Sequence, residues 1–373
     1  MADVPPGFLR PALEGLIPYE PGMPVEEVQR ELGLERVVKL ASNEGPYGPF
    51  PQALAALERA AGELNRYPDG GAFRLRTALA ERHGVRFEQV AIASGADALI
   101  DGISQAVLDP GDEVVCGWPS FPSYVIYAVK LGAHPRRVPL RGYVYDLEAM
   151  LAAITERTKL VYVCHPNNPT GTMNGRAELD SYFDRVPEHV VTVLDQAYFE
   201  YIDDPDYADG IEEYFKAGRR VIVLRTFSKI YGLAGLRVGY GVGHPDLVTA
   251  LGKTRRAFDV ATLAQEAALA SLEADAELEG RRRLNAGGRA ELETILRAAG
   301  YTVASPAAGN FVFVDLGEEA QQLFEALLHQ GVIVRPLAAF GAPQAIRVTV
   351  GTPDEHMFLT RALQRAKTPA VAS

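Results

Sequence analysis

The sequence predicts an α/β chain, with a parallel or mostly parallel sheet between helices followed by a smaller α+β part. Short apolar runs at residues 90–93, 114–116, 160–164, 190–194 and 221–224 alternate with helical stretches. Strands covered on both faces by crossover helices read this way. Residues 309–363 change to the short strands and helices of a smaller α+β unit. At 373 residues the chain is also too long for one compact core, so two domains are expected. Ligands of such a sheet lie at the carboxyl ends of its strands.

Residues 1–40 are proline-rich and then partly helical, with an extended arm at LIPYEPG, 16–22. A turn-rich loop, ASNEGPYGPFP at 41–51, precedes a helix from Gln52 to about Gly62. RYPDGG at 66–71 is a second loop, followed by a helix through Ala80 and Arg82. SGAD at 94–97 is a turn into a helix that occupies 98–107. The segment 262–299 is alanine-rich and helical, with an interruption expected near Gly287-Gly288, since glycine is a poor helix former. The tail TPAVAS, 368–373, is expected to be loose.

Hydrophobic residues make up 47% of the chain and charged residues 23%, the profile of a soluble globular protein. A net charge of -11 argues against a nucleic-acid partner, which calls for a basic face. No run approaches about eighteen apolar residues, and MADVPPGFLR lacks an apolar leader core, so no membrane association and a cytoplasmic setting are expected. Cys116 and Cys164 end apolar runs and read as small buried hydrophobes rather than half of a disulfide. The seven histidines show no metal-ligand spacing, so no metal is expected.

The chemistry concentrates in LRTFSKIYGLAGLRVGYG, 224–241. A buried run leads into a loop bearing Thr226, Ser228 and Lys229, and Arg237 follows in a second apolar run. Two hydroxyls, a lysine and an arginine at one strand end suit a phosphate with an amine beside it. Lysine with its ordinary pKa of about 10.4 is a poor nucleophile at neutral pH. In a dry pocket beside an arginine it shifts toward the neutral amine. That amine forms an imine with an aldehyde, and pyridoxal 5′-phosphate is an aldehyde carrying its own phosphate.

Other strand ends offer matching parts. Gly95, Ala96 and Asp97 open a helix whose N–H groups and dipole suit a phosphate, or they form an ordinary N-terminal turn. Asp195 either caps a helix or pairs with a pyridinium nitrogen, and Tyr198 is then placed for the ring's phenolic oxygen. Asn168, in PNNPTG, is a turn former whose amide could reach the same oxygen. Phe121 is a core phenylalanine or a ring stacked on the ligand.

With SNEGPYGP, RYPDGG, SGAD, PNNPTG, DQAY, GVIVRP and IRVTVG, the chain resembles fold-type I pyridoxal-phosphate aminotransferases. The resemblance is to the histidinol-phosphate aminotransferase group and its close relatives, the aromatic amino acid aminotransferases, and runs from LIPY to IRVTVGTP. It implies a large cofactor-binding domain at 41–270 with a mostly parallel, seven-stranded-type sheet, and a small C-terminal domain at 271–373. Residues 1–40 would form an N-terminal arm and part of the small domain. Lys229 would hold the cofactor and shuttle the proton, Asp195 would pair with the ring nitrogen, Asn168 and Tyr198 would bond the phenolic oxygen, and Phe121 would stack. Ala96, Asp97, Thr226, Ser228 and Arg237 would hold the phosphate. Tyr67 would reach the phosphate in a neighbouring subunit, which implies a homodimer with shared active sites. Arg347 would bind the carboxylate of amino acid substrates and Arg335 a second anion. Tyr19 would be lent by the partner subunit to the substrate's phosphate, and Asn43 would lie near the substrate.

Three positions depart from the family pattern. Gln196 stands where many relatives have glutamate, and tuning rather than loss is expected. Phe121 replaces a common tyrosine, which keeps stacking without a hydroxyl. Gly45 replaces an asparagine of the N-E-N-P stretch. The implied activity is a ping-pong transamination between glutamate/2-oxoglutarate and histidinol phosphate/imidazole acetol phosphate, in histidine biosynthesis. An aromatic amino acid aminotransferase is the alternative, and a related phosphate-ester decarboxylase a third reading. A ligand-sensing regulator would need a DNA-binding module, and no spare basic segment exists.

Overall fold

The computed structural model describes residues 7–367, so the tail at 368–373 lies outside the described residues. Residues 16–24 run without regular structure into α1 (Val25–Leu32) and β1 (Val38–Lys39). After α2 (Pro51–Ala60) and α3 (Phe73–His83) come the strands of the main sheet. These are β2 (Val90–Ala93), β3 (Glu113–Trp118), β4 (His134–Pro139), β5 (Thr158–Cys164), β6 (Val191–Asp195), β7 (Val221–Thr226) and β8 (Gly239–Val242). Their order is β2-β8-β7-β6-β5-β3-β4, and only β8 runs antiparallel to its neighbours. Packed with the sheet are α4 (Ala96–Val107), α5 (Ser123–Lys130), α6 (Leu147–Ala152), α7 (Arg176–Arg185), α8 (Pro245–Thr254) and α9 (Thr262–Ser271).

The five apolar runs of the sequence are five of these strands, and the central ones are buried on both faces. Continuous hydrophobicity without alternation is what two-sided burial requires. β4, HPRRVP, has no such run because it pairs only with β3, and its charges and prolines suit an edge. Cys116 and Cys164 are buried free thiols, as their apolar surroundings implied.

A second core is built by β1, α10 (Asp275–Ala298), β9 (Thr302–Val303), β10 (Phe311–Asp315), α11 (Gln321–His329), β11 (Val332–Ile333), β12 (Arg335–Pro336), β13 (Ala345–Thr349) and α12 (Pro353–Lys367). β12-β13-β10-β9 form an antiparallel sheet, and β1 pairs in parallel with β11. Leu278 of α10 packs in the first core, and Leu292 and Leu296 in the second, so one helix joins both.

The interruption expected near Gly287-Gly288 does not occur, and α10 runs unbroken through both. A Cβ on Gly288 would lie 2.7 Å from Val350 Cγ1. The helix therefore uses the missing side chain for close packing, at a propensity cost of about 1 kcal/mol per glycine. Among the described residues no helix is long and apolar enough to cross a membrane.

Candidate active site

The parallel register gathers three strand ends. Cys164 of β5 lies opposite Asp195 of β6, and Asp195 opposite Leu224 of β7. Backbone bonds extend the alignment, with His165 N donating to the Asp195 carbonyl at 2.8 Å and Gln196 N to the Leu224 carbonyl at 2.9 Å. The loops bearing Asn168, Tyr198 and Lys229 therefore leave the sheet side by side.

One end of this rim is a cradle for an anion. Gly95, at φ +87°, caps α4. A Cβ there would lie 2.7 Å from Arg237 Nη2, and one on Gly239 would lie 2.6 Å from Ala96 N. The two glycines thus let the helix start, β8 and the guanidinium close on one another. Arg237, in the second apolar run, lies outside any strand. It sits at φ +55° after a short 3-10 turn, and β8 begins only at Gly239. Its Nη1 donates to Ser228 Oγ at 3.3 Å, and it has no carboxylate partner among the described residues. Ser228 N donates in turn to Thr226 Oγ1 at 3.1 Å. The Asp97 carboxylate accepts bonds from Ser123 Oγ and Tyr127 Oη, each at 2.6 Å. An arginine, two hydroxyls and the first N–H groups of a helix make an anion site.

Beyond the cradle lies a buried acid beside a free amine. Asp195 is 4% exposed. Its Oδ2 accepts from Tyr124 Oη at 2.6 Å and its Oδ1 from Ala197 N at 3.1 Å. Burial pushes its pKa up, while these donors and the Lys229 charge pull it back. Lys229 Nζ lies 5.6 Å from the Tyr198 ring centroid and has no hydrogen-bond or ion-pair partner among the described residues. Burial first, then the Arg347 charge, pushes its pKa down to about 8. Tyr198 Oη accepts from Asn43 Nδ2 at 2.8 Å. Asn43 holds a left-handed φ of +52° and is tied down by its N–H to Thr349 Oγ1 at 3.0 Å. Phe121 meets Tyr124 edge-on at 5.7 Å.

The far end carries two arginines. Arg335 of β12 and Arg347 of β13 are direct cross-strand partners. Arg347 Nη1 bonds Asn168 Oδ1, and its Nη2 donates to the Ala41 carbonyl at 2.8 Å. Burial pushes its pKa down to about 10. Arg335 Nη2 donates to the Glu20 carbonyl at 2.7 Å. Both are buried, neither pairs with a carboxylate among the described residues, and the Nε of each has no partner. Cations left in this state suit anionic substrate groups.

The two tyrosines expected near the site are placed differently. Tyr19 lies 6.3 Å from Phe121 and 5.8 Å from the Arg335 guanidinium of its own chain. The Arg335–Glu20 bond ties the arm there, which places Tyr19 beside the Arg335 of its own chain. Tyr67 stacks on Phe258 at 4.5 Å and is 81% exposed, a ring presented outward.

Sequence reasoning passed over Tyr124 and the network beneath the site. Gln196 Nε2 donates to the Ala208 carbonyl at 2.8 Å, and its Oε1 accepts from Gly210 N and Arg225 Nη2, each at 3.2 Å. A glutamate there could not donate to Ala208. Arg225 also donates to Asp209 Oδ1 at 2.7 Å and lies 3.4 Å over the Phe199 ring. Nearby Glu200 is buried with Oε2 unpartnered, and burial pushes its pKa up to about 7. At Gly45 a Cβ would meet the Lys229 carbonyl at 3.4 Å, so the smaller residue lies close against the lysine's backbone.

Residues 35–364 match the model of the family "Aminotransferase class I and II". The chain belongs to this family. A histidinol-phosphate aminotransferase from Moorella thermoacetica is 45% identical over 95% of this chain and 92% of its own length. An aromatic amino acid aminotransferase from Thermobifida fusca is also 45% identical, over 96% of this chain and 98% of its own. The crystal structure of histidinol-phosphate aminotransferase from Sinorhizobium meliloti, in complex with pyridoxal-5′-phosphate, superposes with a TM-score of 0.88 at 29% identity. It covers 96% of this chain and 97% of that one. The aminotransferase is accordingly a fold-type I, pyridoxal-phosphate-dependent enzyme. Its residues fit that cofactor, since an anion cradle whose arginine has no carboxylate partner among the described residues, a free lysine amine and a buried carboxylate match a phosphate, an aldehyde and a basic ring nitrogen.

A lysine with a pKa of about 8 has roughly a tenth of its amine neutral at pH 7, against about four in ten thousand at the ordinary value. Only the neutral amine attacks an aldehyde. The rate at which apoenzyme attaches pyridoxal phosphate should therefore rise with pH, with a midpoint near 8 and a plateau about one unit or more above it. Arg347→Met removes a cation that depresses the amine, so it should move that midpoint upward. A wild-type midpoint near the ordinary lysine value of about 10.4 would contradict this.

Proposed function

We propose that this aminotransferase moves an amino group between glutamate/2-oxoglutarate and histidinol phosphate/imidazole acetol phosphate, as a step in histidine biosynthesis. The observation that carries the reading is the in-register pair Arg335 and Arg347, with Tyr19 packed beside Arg335. A ping-pong enzyme must pass two different substrates through one site. Glutamate brings two carboxylates, whereas histidinol phosphate has no α-carboxylate and brings a phosphate ester instead. Arginine bonds either anion bidentately. Arg347 takes the α-carboxylate or the phosphate, Arg335 takes the distal carboxylate or assists with the phosphate, and Tyr19 adds a hydroxyl to the phosphate. Relatives named for this substrate support the reading. The Thermobifida relative, at equal identity, favours the aromatic amino acid alternative.

Pyridoxal phosphate, when bound, supplies an aldehyde that condenses with amines and a ring that draws electrons from the substrate's Cα. The chain's own residues do the rest. The N-terminus of α4 at Ala96 and Asp97, with Thr226, Ser228 and Arg237, binds the phosphate. Asp195 holds the proton on the ring nitrogen, and Phe121 stacks on the ring. Tyr198 and Asn168 bond the phenolic oxygen. Asn43 acts through Tyr198, whose hydroxyl it fixes. Lys229 Nζ would hold the cofactor and, once freed by the substrate, would carry the Cα proton to the cofactor carbon two atoms away. The cofactor-binding part spans 41–270 and the smaller part 271–373, with 1–40 divided between arm and small domain.

The enzyme works as a cytoplasmic homodimer in which the outward ring of Tyr67 completes the neighbour's phosphate cradle. Co-refolding a Lys229→Ala protomer with a Tyr67→Ala protomer should restore one native site per heterodimer. Activity should rise severalfold above the sum of the two parents, and no gain on subunit exchange would contradict a shared site.

The substrate reading is checked by kcat/KM for histidinol phosphate, phenylalanine, tyrosine and leucine with 2-oxoglutarate. Histidinol phosphate should lead. Arg347→Lys, which keeps charge and loses the fork, should lower kcat/KM about tenfold or more in both half-reactions, about 1.4 kcal/mol per factor of ten. Tyr19→Phe should hurt histidinol phosphate far more than glutamate or phenylalanine. If phenylalanine leads in the wild type and Tyr19→Phe affects all substrates alike, the aromatic aminotransferase reading replaces this one.

A further inference from the structure

Helix α5 opens with hydroxyls that are all committed to carboxylates of the site. Ser123 Oγ and Tyr127 Oη hold the two oxygens of Asp97, each at 2.6 Å. Tyr124 Oη donates to Asp195 Oδ2, also at 2.6 Å. Ser123 and Tyr127, four apart, share a helix face, while Tyr124 lies about 100° round and reaches a different acid. One rigid helix therefore ties the start of α4, at the cradle, to the end of β6, where the ring nitrogen would lie.

We propose that Tyr124 is a positioning residue whose hydroxyl fixes the Asp195 carboxylate and keeps it ionised for the cofactor's ring nitrogen. The inference rests on the reading of Asp195 given above. Asp195 is buried and has no arginine, lysine or histidine in ion-pair contact among the described residues. Desolvation favours the neutral acid, and a neutral acid cannot hold a pyridinium proton by charge. The other titratable groups around it, Lys229, Asp97, Cys164 and Tyr198, include one cation, Lys229, the residue assigned to hold the cofactor. In the loaded enzyme the donors that remain on Asp195 are Tyr124 and the Ala197 N–H.

Tyr124 is held firmly in this position. It is fully buried, its ring stacks on Tyr162 at 4.4 Å and 11°, and Tyr162 Oη is pinned within 3.0 Å of Ser104 Oγ. Burial pushes the phenol's own pKa well up, so the donor keeps its proton throughout the working range. The ring also meets Phe121 edge-on, which couples the acid's anchor to the residue assigned to stack on the cofactor.

The test is the affinity of apoenzyme for pyridoxal phosphate as a function of pH, read by fluorescence quenching in wild type, Tyr124→Phe, Asp195→Asn and the double variant. Tyr124→Phe keeps the stacked ring and removes one hydroxyl. It should weaken binding about tenfold at neutral pH and move the acid limb of the profile up by about one pH unit, because a carboxylate that has lost a donor takes up its proton more readily. In the Asp195→Asn background, with no carboxylate to ionise, the same change should cost less than about twofold. Placing 3-fluorotyrosine at 124, a stronger donor of nearly the same size, should move the limb to lower pH, and this probe covers the case in which Tyr124→Phe does not fold. Equal losses in both backgrounds with an unmoved limb would overturn the inference and leave Tyr124 as packing. A wild-type affinity and acid limb in Asp195→Asn alone would instead overturn the reading of Asp195 itself.

Discussion

The rest of the site depends on keeping one buried carboxylate charged. Asp195 ends a strand that has strands on both sides, so water cannot solvate it from the flanks. Desolvating an acid without an arginine beside it favours the neutral form. The fold answers with a phenol on one oxygen, a backbone N–H on the other and a lysine charge nearby. The strand register that puts Asp195 between Cys164 and Leu224 also fixes where the loops of Asn168 and Lys229 emerge. Moving the acid by one residue along its strand would turn its side chain to the other face of the sheet and separate it from Tyr124.

The cations of the site are arranged to receive anions. The chain is strongly acidic, at -11, yet Lys229, Arg237, Arg335 and Arg347 have no carboxylate partners among the described residues. Burial first, and the neighbouring cations after it, depress the pKa of Lys229 to about 8 and that of Arg347 to about 10. The lowered lysine is the useful consequence, because a neutral amine is the nucleophile. Behind the site the pattern reverses. Arg225 is met by Asp209 and the Gln196 amide, with Glu200 as a further acid, so the strand carrying Thr226 rests on a balanced polar layer.

Much of this was legible in the sequence because the chemistry sits at strand ends, and buried parallel strands announce themselves as apolar runs. Each of Asn168, Asp195 and Lys229 could be placed by counting from the end of such a run. Residues that act through others left no such mark. Tyr124 lies inside a helix among apolar neighbours and reads as core, which it also is. β4 carries charge because it is an edge. Gly287 and Gly288 read as a helix break, but Gly288 serves a close contact with Val350 that local propensity cannot show. The cis placement of Tyr19 depends on the Arg335–Glu20 bond, across 315 positions of sequence.

The most direct test of the account is covalent trapping of the cofactor. Holoenzyme is reduced with borohydride, digested, and the peptide bearing the pyridoxyl mass is sequenced. The account predicts a single labelled peptide modified at Lys229, with no label in the Lys229→Ala protein. Label on any other lysine of the wild type, or undiminished labelling of Lys229→Ala, would contradict it.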